Sequence, residues 1–301
     1  MTDKTTTYFI AAPSGWPIMG AMGLFSLVLG FVQVLHDGSL GPWLMLCGCV
    51  LLIATITGWF GAVINESLAG LHSAQMDRTY RYGMMWFIVS EVFLFGVFFA
   101  ALFYARIFAL PELGHEPVPF LSRLFMQRSD ETHALLWPQF QATWPLLTNP
   151  NPALFKGPAA VIPPFGIPAL NTLLLLSSAL CVTIAHWGLK ANKRLQLLLG
   201  LSAGILLGLS FESLQVYEYW HAHEALGLTL SSGIYGTTFY TLTGLHAMHV
   251  TVGLIMLSVI LVRCLKRHFQ PEHHFAFEAV SWYWHFVDVV WLFLFVFVYW
   301  L

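Results

Sequence analysis

Seven apolar stretches recur along this chain, at residues 17–36, 41–64, 82–108, 168–187, 195–219, 236–262 and 280–301, and the last closes with twelve apolar residues in a row. Each is near or above the roughly 20 residues that a helix needs to cross a bilayer. Inside hydrocarbon no water pairs with backbone N–H and C=O groups, so such segments must close their own hydrogen bonds as helices. Only 9% of the 301 residues are charged and 57% are hydrophobic, too few ionised groups to clothe a soluble domain of this length. The expected fold is therefore all-α: a polytopic membrane protein with seven transmembrane helices.

The ends of the spans carry interfacial signals. Pro13 and Pro17 precede or open the first, Gly41 and Pro42 open the second, residues 188–190 close the fourth, and Trp16, Trp43, Trp187, Trp220 and Trp300 sit where amphipathic rings meet headgroups. The polar start, residues 1–7, has no arginine-rich leader and no small-residue cleavage site, so the first span reads as a retained helix. With the N-terminus in the cytoplasm, Lys4, Arg78, Arg81, Lys190, Lys193, Arg194, Arg263, Lys266 and Arg267 lie inside, nine of the thirteen basic residues. That matches the positive-inside rule and puts the C-terminus outside, in the periplasm if the membrane is a bacterial inner membrane. A mitochondrial inner membrane is the alternative.

Residues 65–80 read as a polar connection between the second and third spans. The loop 109–167 contains ten prolines in 59 residues and should form an external cap, anchored by Trp137, Phe140, Trp144 and Phe155. No repeat and no charge block points to a nucleic-acid partner. Cys47, Cys49 and Cys181 fall within spans and Cys264 at the end of one, so no disulfide framework is expected on the external face.

The polar residues inside the spans are the candidates for function. Glu91 stands among apolar and small residues in the third span. An ionised carboxylate there costs about 2.5 to 3.5 kcal/mol, so it should face protein and either be protonated or hold a partner. It reads as a proton-exchanging carboxyl or as a neutral acid tying two helices together. His246 and His249 are three apart on one helical face, and His285 and Asp288 repeat that spacing on the last span. These buried polar groups suit a metal or haem site if they converge, and an interhelical hydrogen-bond network if they do not. Met22, Met84, Met85 and Met248 read as packing residues.

Trp59, Glu66, His72, Arg78 and Arg81 bracket one connection; Arg263, Lys266, Arg267, His268, His273 and His274 bracket another. Rings beside cations at headgroup depth suit phospholipid phosphates, or they serve only to set topology.

Two runs narrow the reading. Arg81-Tyr82-Gly83-Met84, continuing through Phe87-Ile88-Val89-Ser90-Glu91-Val92, resembles the third helix of cytochrome c oxidase subunit III. So does His273-His274-Phe275-Ala276-Phe277-Glu278-Ala279, continuing through Trp282-Tyr283-Trp284-His285-Phe286-Val287-Asp288-Val289-Val290-Trp291. Gly233-Ile234-Tyr235-Gly236, Phe239 and the run Thr243 to Val250 are similar too.

The resemblance implies a two-helix body, residues 1–72, and a five-helix body, residues 73–301 including the loop 109–167, flanking a V-shaped lipid cleft. It implies a non-catalytic subunit of an aa3-type oxidase in aerobic electron transport, supporting proton uptake and stability of the catalytic subunit I. Haem and copper would lie in partner subunits I and II, with none in this chain. Cytochrome c would be the substrate of the complex and phospholipids its structural lipids, with Trp59, Glu66, His72, Arg263 and Lys266 contacting a headgroup. Glu91 would be the family's buried glutamate, and His246 and His249 its paired histidines.

The full helix count favours the cytochrome c branch over quinol oxidases, whose subunits usually lack the first two helices. A stand-alone proton channel or transporter around Glu91 is the alternative of another class. Two departures from the family are expected: an insertion at roughly 112–160, and an approach to His72, residues 66–72, that is one residue short.

Overall fold

The computed structural model describes residues 13–114 and 135–301, so the N-terminal tail and the middle of the long loop lie outside the described residues. Among those described, seven helices are long and apolar enough to cross a membrane, and there are no strands. They are α1 (Trp16–Leu35), α2 (Gly41–Leu68), α3 (Ala74–Tyr104), α4 (Ile167–Lys190), α5 (Arg194–Leu226), α6 (Ile234–Leu265) and α7 (Phe275–Leu294). α3 runs on through a π-helical turn, Ala105–Ala109, and a last turn, Leu110–Leu113. α7 likewise ends in a π-helical segment, Phe295–Trp300.

Local chemistry sets the helix ends. Proline opens α1, α2 and α4 within the first two positions, where its missing N–H has no intrahelical partner to lose. α5 stops at Gly227, whose φ of 59° turns the chain left-handed and lets Leu228 N–H donate to the Ala222 carbonyl at 3.0 Å.

The expected polar connection over 65–80 is mostly helical instead. α2 continues to Leu68 and α3 begins at Ala74. A helix of 31 residues is about 46 Å long, beyond the ~30 Å hydrocarbon core, so its first turns take polar residues without penalty.

Packing divides the chain into two compact units, Met1–Asp77 and Arg78–Leu301. In the first, α1 and α2 pack backbone to backbone. A Cβ on Gly30 would stand 2.5 Å from Met45 N, and one on Gly48 2.5 Å from Leu27 N, so only glycine permits the approach.

In the second unit the core is aromatic, with Trp284, Trp291, Phe211, Phe239 and Phe277 fully enclosed. The Trp284 indole fills a slot between α5 and α6 beside Gly208 and Gly253. Its Nε1–H donates to Ser178 Oγ at 3.1 Å, and that hydroxyl donates to the Gly204 carbonyl at 2.6 Å. Trp291 does the same to Thr172 Oγ1 at 2.9 Å, meeting Phe211 edge-on at 4.7 Å. Each buried indole thus keeps its one polar handle satisfied.

Of the expected loop anchors, Phe140 is buried, Trp144 meets Tyr235 edge-on at 5.8 Å, and Trp137 packs against the core. Phe155 is not an anchor: it is 60% exposed, and the residue is held through its backbone carbonyl, to which Asn149 Nδ2 donates at 3.0 Å.

Candidate functional site

Glu91 and His249 meet at mid-helix. α3 carries the carboxylate and α6 the imidazole, with Nε2 2.9 Å from Oε2 and the two side chains 7% and 16% exposed for His249 and Glu91 respectively. His249 Nδ1 lies 2.7 Å from the Leu245 carbonyl, which only accepts, so Nδ1 carries a hydrogen. Either Nε2 is bare and accepts from a protonated Glu91, or it is protonated and donates to a carboxylate. In both cases the pair shares a single proton and is neutral as a whole.

The surroundings hold this geometry. Phe95, 2% exposed, lies with its ring 5.0 Å from the imidazole, and Tyr283 stacks on the other side at 6.3 Å while donating its hydroxyl to the His249 carbonyl at 3.2 Å. The sequence singled out Glu91 as needing a partner; the tertiary structure supplies His249 from 158 residues away.

The four groups that spacing suggested as a convergent set separate. His246, 1% exposed, points between Phe211 and Trp291 and reaches the Val287 carbonyl at 3.1 Å. His285 meets Thr183 Oγ1 at 3.1 Å on α4. Asp288 is buried, and its Oδ1 finds no hydrogen-bond partner among the described residues. His246 and His285 each form an interhelical tie, and no group of three or more His, Cys, Asp or Glu suited to a metal occurs among the described residues.

At the end of the bundle where α3 and α7 begin, Arg81 Nη1 pairs with Glu278 Oε2 at 2.7 Å and its guanidinium lies 5.2 Å from the Phe275 ring centre. Arg263 is 8% exposed, with its guanidinium 4.4 Å over the Phe269 ring. Lys266, at the end of α6, is exposed. In the other unit Trp59 is 43% exposed, and His72 Nε2 stands 3.9 Å from Glu66 Oε2.

A second polar cluster escaped the sequence reading. Glu218, 2% exposed, accepts from Tyr299 Oη at 2.6 Å and from Gln215 Nε2 at 3.1 Å, while Gln215 Oε1 accepts from Asn171 Nδ2 at 3.3 Å. The signal was present as polar residues at 212, 215 and 218, but a span ending at 219 placed Glu218 at the interface. α5 runs on to Leu226, two further turns, which sinks Glu218 into the bundle. Glu212 was missed too; it meets Thr251 of α6 at 3.1 Å.

Comparison with known proteins agrees with the resemblance of these motifs. The family model for cytochrome c oxidase subunit III matches residues 6–125 and 143–301. A protein named cytochrome c oxidase subunit 3 from Scyliorhinus canicula is 38% identical over 301 residues, spanning 100% of this chain and 99% of the relative. Those of Cyprinus carpio and Gadus morhua are each 37% identical with the same coverage. The stretch the family model leaves unmatched, 126–142, is shorter than the insertion relative to the family expected at roughly 112–160. With agreement along its whole length, this multi-pass membrane chain belongs to the cytochrome c oxidase subunit III family.

Proposed function

We propose that the chain is a non-catalytic subunit of an aa3-type cytochrome c oxidase, sustaining proton uptake and the stability of the catalytic subunit while electrons pass from cytochrome c to oxygen. The observation that carries this is the full-length family match, since relatives bearing the subunit's name span all of this chain. Haem and copper belong to partner subunits I and II in this reading, and the chain itself has no redox centre. Two histidines of its spans, His246 and His249, are engaged in helix-to-helix hydrogen bonds.

The Glu91–His249 pair supports a proton-related role, because it holds one proton in a neutral unit that titration of a neighbour can shift between two atoms 2.9 Å apart. In this reading residues 1–72 and 73–301 are two bodies, and Trp59, Glu66, His72, Arg263 and Lys266 are the phospholipid-contacting residues. Nine of thirteen basic residues favour the side holding Lys4, so that side is cytoplasmic in a bacterial inner membrane.

The test is purification through a tag on this chain in mild detergent, with identification of co-purifying chains and an optical spectrum. Haem a absorbance with a copper-bearing cytochrome c oxidase subunit II is the expected result. A copper-free quinol-oxidising partner would move the chain to the quinol branch, and a lone chain that conducts protons in vesicles would replace the subunit reading with a channel.

A further inference from the structure

A cleft of about 580 Å³ opens where the long loop meets the end of α5. Residues within 154–159 form one wall, and residues within 225–231 form the other. Hydrogen bonds fix the walls relative to each other. Ala159 N–H donates to the Leu226 carbonyl at 2.8 Å, and the buried Asn149 amide donates to the carbonyls of Phe155 at 3.0 Å and Ser232 at 3.2 Å. The volume falls in the range of small-molecule sites. Its lining is amphiphilic. Lys156, itself exposed, is the one charged lining residue among those described; Thr229 and Ser231 bring hydroxyls 3.1 Å apart, and Leu154 and Phe155 are apolar and exposed.

The cleft also lies at a defined depth. Trp220, exposed on α5, suits the interface, and Leu226 follows two turns later, about 9 Å further along the helix. A headgroup layer adds about 5–8 Å on each side of the hydrocarbon core, so the cleft sits among headgroups. We propose that it binds one phospholipid of the leaflet on that side, with the phosphate at Lys156 and the two hydroxyls and the acyl chains beside Leu154 and Phe155. A cation with hydroxyl donors is the chemistry that holds a phosphate. The last carbonyls of α5 carry partial negative charge, which favours a headgroup that adds an ammonium to its phosphate. Arg263 and Lys266 lie at the opposite end of the bundle, where Arg194 at the start of α5 reaches the Leu265 carbonyl, so this site is separate from theirs. The inference needs only a bilayer around the spans and stands or falls apart from the oxidase reading.

The test uses the complex purified through this chain and reconstituted in vesicles of phosphatidylethanolamine and phosphatidylglycerol. A small share of the phosphatidylethanolamine carries a diazirine at the headgroup end of one acyl chain. Illumination should label the segment around Leu154 and Phe155. Lys156→Ala should lower that labelling by about fivefold, Lys156→Arg should retain it, and labelling elsewhere on the chain should be the same in all three proteins. Equal labelling of the segment in all three would mean ordinary bilayer contact and would overturn the site. Loss of the label on adding inorganic phosphate would make a free anion the ligand and overturn the lipid. A photo-crosslinking residue at Phe155 that captures another subunit in place of lipid would assign the cleft to a protein and overturn it as well.

Discussion

Glu91 and His249 act as one chemical unit, so their substitutions are to be read together. Glu91→Gln still offers an N–H to a bare His249 Nε2 and keeps the site neutral, so the loss of stability should be under about 1 kcal/mol. Glu91→Leu strands that nitrogen and should cost about 1–3 kcal/mol. Thermal unfolding of the two variants in one detergent checks the order, and a Gln variant as damaged as Leu would contradict the shared-proton account. Tyr299→Phe removes the 2.6 Å donor to Glu218 and leaves Gln215 as its hydrogen-bond donor. Its expected cost is again about 1–3 kcal/mol, whereas Glu218→Gln preserves an acceptor for Tyr299 and should be milder. The need for a partner at Glu91 was legible in sequence. Which residue answers it was not, because spacing along α6 grouped His249 with His246 and said nothing about the direction each takes.

Helix ends and close approaches decide the placement of these groups. Trp284 fits because Gly208 and Gly253 have no side chains: a Cβ on Gly253 would stand 2.7 Å from the Trp284 ring. Gly253→Val should destabilise by about 1–3 kcal/mol through overpacking. Combining it with Trp284→Phe should cost less than the sum of the two changes, since the smaller ring vacates the contested space. A double variant that is merely additive would show that the two positions do not share a slot. At the far end of α7, the π-helical segment Phe295–Trp300 carries Tyr299 to Glu218. Restoring a plain α-helix by deleting Val296 would turn Tyr299 by about 100°, and the deletion should match Tyr299→Phe in its effect on unfolding. The seven spans themselves were readable from apolar run length. Their extensions, such as α3 beginning at Ala74 and α5 reaching Leu226, were not, because polar turns beyond the hydrocarbon core carry no apolar period.

On the scale of the molecule, the proposed lipid role would divide between two residues of different burial. Lys266 is exposed and Arg263 lies against Phe269, so Lys266→Ala alone should lower retained phospholipid and shorten the active lifetime of the oxidase while its initial rate stays near normal. Arg263→Ala should in addition loosen the turn after α6, because it removes the guanidinium that lies 4.4 Å over the Phe269 ring. Lipid mass spectrometry beside a turnover time course separates the two, and unchanged lipid and lifetime in both variants would reduce these cations to topology signals. By itself the sequence determined membrane residence, the number of spans and the family, because run length, scarcity of charge and the long motifs around Glu91 and Trp284 are local properties of the chain. Only the tertiary structure decided that His249 answers Glu91, that His246 and His285 take different partners, and that Glu218 is buried. Side-chain direction depends on helix rotation and depth, which packing against glycine and indole surfaces sets and no one-dimensional period encodes.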